Sequence, residues 1–205
     1  MQLSLANAYY TLEMWDSAAK LFRALLENEA KAPDLTQFAM NNLILTYKQM
    51  GQFDGAMDLT RTFIERYPND PDLMDKRIDI GVLYQKLGYY DQSIVHLQSL
   101  LENGNSDLEA ELRYYIGEDY YYKGEYQQAI LEFLKVPYLV TKKGKVDWIA
   151  TSYYMAGQSY EKMTKYSEAM TMYKQIVERQ GIDATFKSAA QKEIDRVNGM
   201  ISKRN

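Results

Sequence analysis

The stretch RYYIGEDYYYKGEYQQA, residues 113–129, carries the densest group of chemically capable side chains, including six tyrosines. Such a group could form an aromatic cage, a catalytic cluster or a packed core. Glu118 and Asp119 lie within it and would be the candidates for acid–base chemistry. Adjacent residues of a helix point about 100° apart, so these two carboxylates do not converge on one reacting atom. We expect both to lie on a solvated helix face.

The other residues suited to chemistry are isolated. The chain has one histidine, His96, and no cysteine, which excludes disulfides, thiolate metal sites and a cysteine nucleophile. No partner motif surrounds His96, so we interpret it as a solvated helix residue. Lys142, Lys143, Gly144 and Lys145 lack the spacing of a phosphate-binding loop and are interpreted as a surface joint. The sequence therefore predicts a protein that is not an enzyme, with no catalytic residue, no metal site and no cofactor.

Composition narrows the class of partner. The 205 residues are 46% hydrophobic and 25% charged, as is usual for a folded chain. The net charge of −4 and the pI of about 5.2 argue against a nucleic-acid partner. There is no run of eighteen apolar residues, so we expect no membrane insertion. MQLSLANAYY shows no export signal, and the sequence leaves cytoplasm and periplasm both open.

The tyrosine-rich stretch is one copy of an internal repeat. Its pattern, G-x2-Y-x3-G-x-Y-x2-A-x3-F, is carried by Gly117, Tyr120, Gly124, Tyr126, Ala129 and Phe133. The first tyrosine of the pattern recurs as Tyr9, Tyr47, Tyr84, Tyr120 and Tyr160, in steps of 38, 37, 36 and 40 residues. Register of this kind over nearly the whole chain indicates stacked copies of one structural unit.

The spacing within one copy predicts a helix–turn–helix hairpin. Gly117 and Tyr120 share one face of a first helix, where the small residue permits close approach of a neighbour. Gly124 stands where a helix C-terminus favours positive φ. Ala129 and Phe133 belong to the apolar face of a second helix. One hairpin cannot bury that face alone, so the copies are expected to stack as a solenoid.

This pattern resembles the tetratricopeptide repeat (TPR) family over about residues 1–180. The resemblance implies an all-α fold, a right-handed superhelix of five repeats in a single domain with a C-terminal capping helix. The expected bounds are 1–31, 37–70, 74–107, 110–143 and 150–183 for the repeats and 184–200 for the cap. Every step is longer than the family's 34 residues, and Glu13 and Thr164 replace the turn glycine. These two turns are therefore expected to have a different shape.

Prolines mark the expected ends of the hairpins. Pro33, Pro68 and Pro71 fall in the joints between repeats, where helix breakers belong. Pro137 lies late in the second helix of the fourth repeat and should end or kink it, because proline has no amide donor.

The two ends of the chain differ. DATFKSAAQKEIDRVNGM predicts the capping helix, with an apolar stripe of Phe186, Ala189, Ala190, Ile194 and Val197 and a wet face of Lys187, Lys192, Asp195 and Arg196. The first repeat lacks its opening residues. We therefore expect a fragment of a longer chain, the alternative being a short native first helix.

In solenoids of this family the first helices line a concave groove. On the helix over 111–122, Ile116, Gly117 and Tyr120 face the core, and the opposite face looks into the groove. Equivalent positions in the other copies complete the set of expected partner-binding residues: Asn7, Tyr10, Phe38, Asn41, Gln85, Tyr114, Glu118, Tyr121, Tyr122, Tyr154 and Gln158. Tyrosine supplies contact area with a hydroxyl, and amides can hold a peptide backbone. The alternative is that these tyrosines only fill the narrow inner side.

The function expected from this groove is a non-catalytic protein–protein interaction scaffold that binds a partner peptide or helix. Two alternatives stay open. One is structural self-association, as a homo-oligomer, through the solenoid ends or convex face; the other is a docking or sensor domain of a larger enzyme or signalling protein. Asn41, Ile78 and Tyr114 occupy the positions where some TPR domains carry a basic carboxylate clamp, so binding of chaperone tails is not expected.

The last two repeats resemble more particular relatives. LRYYIGEDYYYKGEYQQAILEF, and SYYMAGQSYEKMTKYSEAMTMYKQIVER followed by AAQKEIDRV, are similar to bacterial periplasmic TPR proteins associated with Tol–Pal envelope maintenance and outer-membrane assembly. This resemblance implies a bacterial origin and points towards the periplasm.

Overall fold

The structure, a computed structural model, describes residues 2–27, 33–103, 105–142, 144 and 146–202. Over these residues the regular elements are helices, without a strand. The all-α fold class expected from the repeat is therefore confirmed. None of the described helices has the length and apolarity needed to span a membrane. The chain divides into two compact units, Met1–Tyr89 and Tyr90–Asn205.

The first unit is a succession of packed helices. They are α1 (Gln2–Thr11), α2 (Trp15–Glu27), α3 (Pro33–Gln49), α4 (Phe53–Arg66) and α5 (Leu73–Lys86). Each packs against the next along the chain. Fully buried alanines face large residues here, as where Ala18 and Ala19 share a cluster with Phe22. The Lys48 ammonium also lies 2.8 Å from the Asp79 carboxylate, which links α3 to α5.

The second unit, taken by itself, is also a succession of packed helices. It contains α6 (Tyr90–Leu100), a 3-10 turn (Leu101–Asn103), α7 (Ser106–Lys123), α8 (Tyr126–Phe133), the short α9 (Val136–Leu139), α10 (Trp148–Lys162), α11 (Tyr166–Glu178) and α12 (Ala184–Ser202). In this unit α7 packs on α8, α8 on α10, α10 on α11 and α11 on α12. The division into five repeats within one domain stays a prediction.

The turns after α1, α3, α5, α7 and α10 share one backbone geometry. Their central residues all have positive φ: 58° at Glu13, 68° at Gly51, 80° at Gly88, 81° at Gly124 and 59° at Thr164. After α7, the Gly124 N–H donates to Tyr121 O at 3.0 Å and the Glu125 N–H donates to Tyr120 O at 2.8 Å. The same pair of bonds closes the turns at Glu13 and Thr164. The expectation that these two turns differ in shape is wrong, because the hydrogen bonds impose the left-handed conformation on any residue there.

The glycine of the first helix lies directly against an aromatic ring of the second. A Cβ atom at Gly117 would come within 2.7 Å of the Phe133 ring, and one at Gly157 within 2.6 Å of the Tyr173 ring. Phe133 and Tyr173 are fully buried. The close approach expected from the repeat pattern is therefore confirmed in both hairpins.

Pro137 breaks the second helix of its hairpin. α8 ends at Phe133, whose carbonyl is the one that residue 137 of a continuous helix would bind. A separate turn of helix, α9, follows with Pro137 in its first turn. This confirms the break expected from the sequence.

α12 buries Ala190, Ile194 and Val197 against the end of the unit. Phe186 packs against the same cluster. Ala189 is exposed, contrary to its expected place in the apolar stripe. The buried residues are four and three apart, so they define a narrow stripe that excludes the residue before Ala190.

Candidate functional site

One surface of the second unit is built by α7, α10 and α12. Together with Tyr166 at the start of α11, these helices line an open cleft of ≈330 Å³. Its lining residues are Tyr121, Gln158, Glu161, Lys162, Tyr166, Arg196 and Met200. We call it the α7–α10–α12 cleft. Two of its lining residues, Tyr121 and Gln158, belong to the expected partner-binding set. The structure therefore brings these two together.

Charged hydrogen bonds fix one wall of the cleft. Arg196 Nη2 on α12 donates to both oxygens of Glu161 on α10, at 2.6 and 2.7 Å. Its Nε donates to Glu193 at 2.6 Å. The Tyr173 hydroxyl donates to Glu161 at 2.6 Å and the Tyr154 hydroxyl donates to Glu193 at 3.0 Å. One guanidinium thus connects three helices through two carboxylates that also accept tyrosine hydroxyls.

The tyrosine hydroxyls of this network are held in their neutral form. Burial raises the pKa of Tyr173, and the adjacent Glu161 carboxylate raises it further. Burial also raises the pKa of Tyr154, with the hydrogen bond to Glu193 as the next cause. Ionising either ring would place a phenolate beside a carboxylate. Both tyrosines therefore serve as hydrogen-bond donors.

Tyr114 is largely packed, although it was expected to look into the groove. Its ring centroid lies 5.1 Å from that of Trp148 and 5.7 Å from that of Phe133. Its hydroxyl donates to the Glu118 carboxylate at 3.1 Å. Burial raises the pKa of Tyr114, and the Glu118 charge adds to this. The expected orientation is corrected: α8 and the start of α10 cover the ring, and the hydroxyl is directed to Glu118.

Tyr122 is the exposed aromatic residue of α7, and Tyr121 beside it is partly exposed. Tyr122 is 51% exposed and stacks on Tyr90 of α6, with 5.9 Å between centroids and 23° between planes. Tyr121 meets Tyr122 edge-on at 5.8 Å and Tyr126 at 5.5 Å. Tyr90, Tyr121, Tyr122 and Tyr126 thus form a group of ring contacts that reaches the surface at Tyr122.

Asp119 departs from its expected place on a solvated face. Its side chain is fully buried, whereas Glu118 is partly exposed. α7 is contacted by α6, α8, α9 and α10, so only a narrow strip of its surface remains open. Glu118 lies on that strip, and Asp119, rotated by about 100°, does not.

The expected residues of the first unit have mixed environments. Asn7 is partly exposed, and Tyr10 packs edge-on against Trp15 at 5.0 Å. Phe38 is 46% exposed. The Oδ1 atom of Asn41 is buried and accepts no hydrogen bond from the part of the chain that the structure describes.

Gln85 is buried, at 7% exposure, which corrects the expectation that it lies open in the groove. It follows the buried Ile78 by seven residues, and two turns of helix bring both to one face.

Most residues that line the cleft were not in the expected partner-binding set, namely Glu161, Lys162, Tyr166, Arg196 and Met200. Glu193 and Arg196 belong to the helix interpreted only as a cap, and Tyr90, which stacks on Tyr122, was also outside the expected set. Arg196 was expected on the wet face, and its exposure agrees with this. That expectation did not include its ion pair with Glu161 of α10. The available signal was the pairing of Glu193 with Arg196 three residues later, a spacing that brings opposite charges together on a helix.

A second open cleft, of ≈270 Å³, lies where α9 leads into α10 and α11 into α12. Val140, Lys142, Trp148 and Arg179 contribute to its lining. Of the basic joint interpreted from the sequence, Lys143 and Lys145 lie outside the described residues.

Comparison with known families identifies the repeat. Residues 39–70 and residues 150–182 each match a tetratricopeptide repeat model. A comparison with curated proteins gives no significant match. These matches confirm tetratricopeptide repeats in two parts of the chain, while the similarity to Tol–Pal-associated proteins stays a prediction.

Solved structures share the fold at low sequence identity. A thermophilic TPR protein from Thermus thermophilus is 19% identical, covering 94% of this chain and 97% of its own, with a TM-score of 0.58. YrrB, a TPR protein with an unusual peptide-binding site, is 19% identical over 93% and 90%, with a TM-score of 0.56. A TPR protein from Parabacteroides merdae is 16% identical over 98% and 73%, with a TM-score of 0.67.

Proposed function

We propose that the chain is a non-catalytic interaction scaffold, and that a partner peptide or helix binds in the α7–α10–α12 cleft. The observation that carries this proposal is the lining of that cleft. Aromatic, amide and charged groups from four helices converge on one open surface of ≈330 Å³. Tyrosine is the residue type that binding surfaces use for contact area at low entropic cost.

The cleft is preorganised for binding. Arg196, Glu161 and Glu193 are locked to one another, so α10 and α12 do not have to be ordered when a ligand arrives. Rigid walls lower the entropic cost of association. Tyr121 and Gln158 then offer a ring, a hydroxyl and an amide to the occupant. Tyr122, Glu118 and the Tyr154 hydroxyl extend the same surface along α7 and α10.

The TPR fold supports a protein or peptide as the partner, since such repeats are interaction scaffolds. YrrB, which shares the fold, is a TPR protein with a peptide-binding site. In the first unit, Asn7, Tyr10, Phe38 and Asn41 extend the proposal as a second set of contact residues. Gln85 is left out of this set because its side chain is buried.

The proposal is tested by selecting ligands from a library of random twelve-residue peptides displayed against the full chain. The affinity of the selected peptides is then measured for wild type and for Tyr121→Ala/Gln158→Ala. We expect about a tenfold or larger loss, as for the central residues of an interface.

The matched control is Leu131→Ala/Tyr138→Ala. Leu131 and Tyr138 are 54% and 87% exposed on α8 and α9, and neither lines the cleft. Unchanged binding by the control supports the cleft. Equal affinities for wild type and the cleft variant, with helical circular dichroism intact, would place binding elsewhere and refute the proposal.

Self-association is the second candidate, and one observation favours it. Leu5 and Leu12 are 46% and 68% exposed at the first helix, and Met14 beside them is 48% exposed. Clustered apolar residues of this kind favour contact with a second copy. Sedimentation velocity over a range of concentrations, with Leu5→Ser/Leu12→Ser as the variant, tests it: a dimer that the variant abolishes would support self-association, and a monomer at all concentrations would reject it.

A further inference from the structure

A stacked tyrosine pair beside the cleft has the form of a cation-binding surface, with Tyr122 exposed and Tyr90 partly buried. Tyr90 and Tyr122 stack with 23° between their planes, and Tyr122 is 51% exposed. The face of an aromatic ring attracts positive charge through its quadrupole. An exposed ring backed by a second, nearly parallel ring is fixed in orientation and offers that face to a ligand.

Charge around the pair is predominantly negative. Glu118 precedes Tyr122 by four residues and therefore shares its helix face. Asp91 adjoins Tyr90, and its side chain is 78% exposed. Lys123 is bonded at 2.7 Å to both Asp91 and Glu125, so its charge is balanced by those two carboxylates. With Glu118 added, the carboxylates of this patch outnumber its lysine.

The pKa of Tyr122 responds to the negative charge of Glu118. Burial raises the pKa of Tyr122, and the Glu118 charge is the next cause. Of these two causes, only the Glu118 charge would favour a positive group at the ring, since burial disfavours charge of either sign. The patch is complementary to a cation.

The same unit contains an example of how such a cation is bound. Glu161 accepts the Tyr173 hydroxyl and the Arg196 guanidinium together. On α7, Glu118 accepts the Tyr114 hydroxyl in the same way. A carboxylate has about four acceptor positions and can accept several donors at once, as Glu161 does. Arginine suits this surface better than lysine, since its planar group can stack on a ring while it donates sideways.

We propose that Tyr90, Tyr122 and Glu118 bind an arginine side chain of the partner segment, the guanidinium lying on the Tyr122 ring and donating to the Glu118 carboxylate. The inference rests on the proposed function, because it specifies the chemistry of the same partner. It identifies the occupant as a peptide carrying arginine at the position that reaches α7.

The test uses the peptides selected from the random twelve-residue library. Arginine should be enriched at one position of the selected sequences. Replacing that arginine by lysine or by the uncharged citrulline should weaken binding to the wild-type chain, and citrulline should cost about tenfold. Against Glu118→Gln/Tyr122→Leu, the arginine and citrulline peptides should bind with nearly equal affinity.

The control Glu178→Gln/Tyr138→Leu removes the same kinds of group from exposed positions outside the patch, and it should keep the preference for arginine. Selected peptides without arginine, or an arginine preference that survives in Glu118→Gln/Tyr122→Leu, would overturn the inference while leaving cleft binding intact. Failure to select any binding peptide would instead refute the proposed function, and this inference with it.

Discussion

At the residue scale, the hairpin turns show how backbone geometry overrides residue type. Glu13 and Thr164 adopt φ of 58° and 59°, the conformation that glycine adopts at Gly51, Gly88 and Gly124. A residue with a Cβ is strained there by about 1–2 kcal/mol. The paired hydrogen bonds to the preceding helix hold it in place. The backbone strain at Glu13 and Thr164 should therefore be relieved when either residue is replaced by glycine.

Replacing Thr164 by glycine should stabilise the protein. The relief of left-handed strain is partly offset by the greater freedom of glycine in the unfolded chain, which leaves a gain of about 0.5–1 kcal/mol. The converse change, Gly124→Ala, should destabilise by a similar amount, because a Cβ there has open space and suffers only from its φ. Urea unfolding followed by circular dichroism measures both. A loss of stability in Thr164→Gly would show that its side chain contributes more than the strain it introduces.

Gly117 should tolerate no side chain, for a different reason. An alanine Cβ would lie 2.7 Å from the fully buried Phe133 ring, and overpacking of this kind costs about 1–3 kcal/mol. Gly199, also in a helix, has nothing within 4 Å of its virtual Cβ. Gly199→Ala should therefore stabilise by about 0.5–1 kcal/mol through helix propensity. Thermal unfolding that ranks Gly117→Ala at or above wild type would contradict this account of the packing.

At the element scale, α12 is attached to α10 and α11 by polar groups as well as by its apolar stripe. Arg196, Glu161 and Glu193 form the ionic part, and Tyr173 and Tyr154 complete it. Arg196 is 43% exposed in its side chain, so solvent screens the pair and its contribution to stability is modest. Its larger effect is to fix the position of α12 beside the cleft.

The packing of α12 on α10 and α11 should become less stable at alkaline pH. The folded pKa of Tyr173 lies above its ordinary 10.0, so above pH 10 the unfolded chain loses that proton while the folded chain keeps it. The contribution is fully present below pH 10 and is lost as pH rises further. Hydrogen exchange of residues 184–202 should show less protection at about pH 10.5 than at about pH 8 after correction for intrinsic rates.

The control for the alkaline effect is Tyr173→Phe, which has no proton to lose. Part of the pH dependence should vanish in this variant. The remainder is assigned to the other tyrosines of this unit whose pKa values burial raises, which are Tyr114, Tyr122, Tyr153 and Tyr154. An unchanged pH dependence in Tyr173→Phe would show that ionisation of the Tyr173 hydroxyl does not contribute to the loss of stability at high pH.

The sequence was sufficient to predict the helices, but it predicted only in part which side of each helix is buried. The repeated glycine and aromatic positions indicate the hairpins, and the structure confirms the contact of Gly117 with Phe133. Asp119 could not be assigned correctly, because its burial depends on helices packing around α7 from several sides. Arg196 could be placed at the surface, but its partner Glu161 is 35 residues away on another helix. Helix periodicity specifies a face, and tertiary packing decides what covers it.

At the scale of the whole molecule, the central question is which surface of the second unit binds a partner. α7, α10 and α12 present tyrosines, an amide and a fixed ionic network around the cleft. The second helices, α8 and α11, instead bury aromatic residues against the first. Recognition is therefore expected on the first-helix side and on α12.

The most direct measurement is site-specific photo-crosslinking in cells of the source organism. A benzoylphenylalanine residue replaces either Gln158 in the cleft or Leu131 on α8, and adducts are identified by mass spectrometry. The account predicts a discrete adduct with another protein from position 158 and none from position 131. An adduct only from position 131, or one at position 158 that consists of a second copy of this chain, would contradict it.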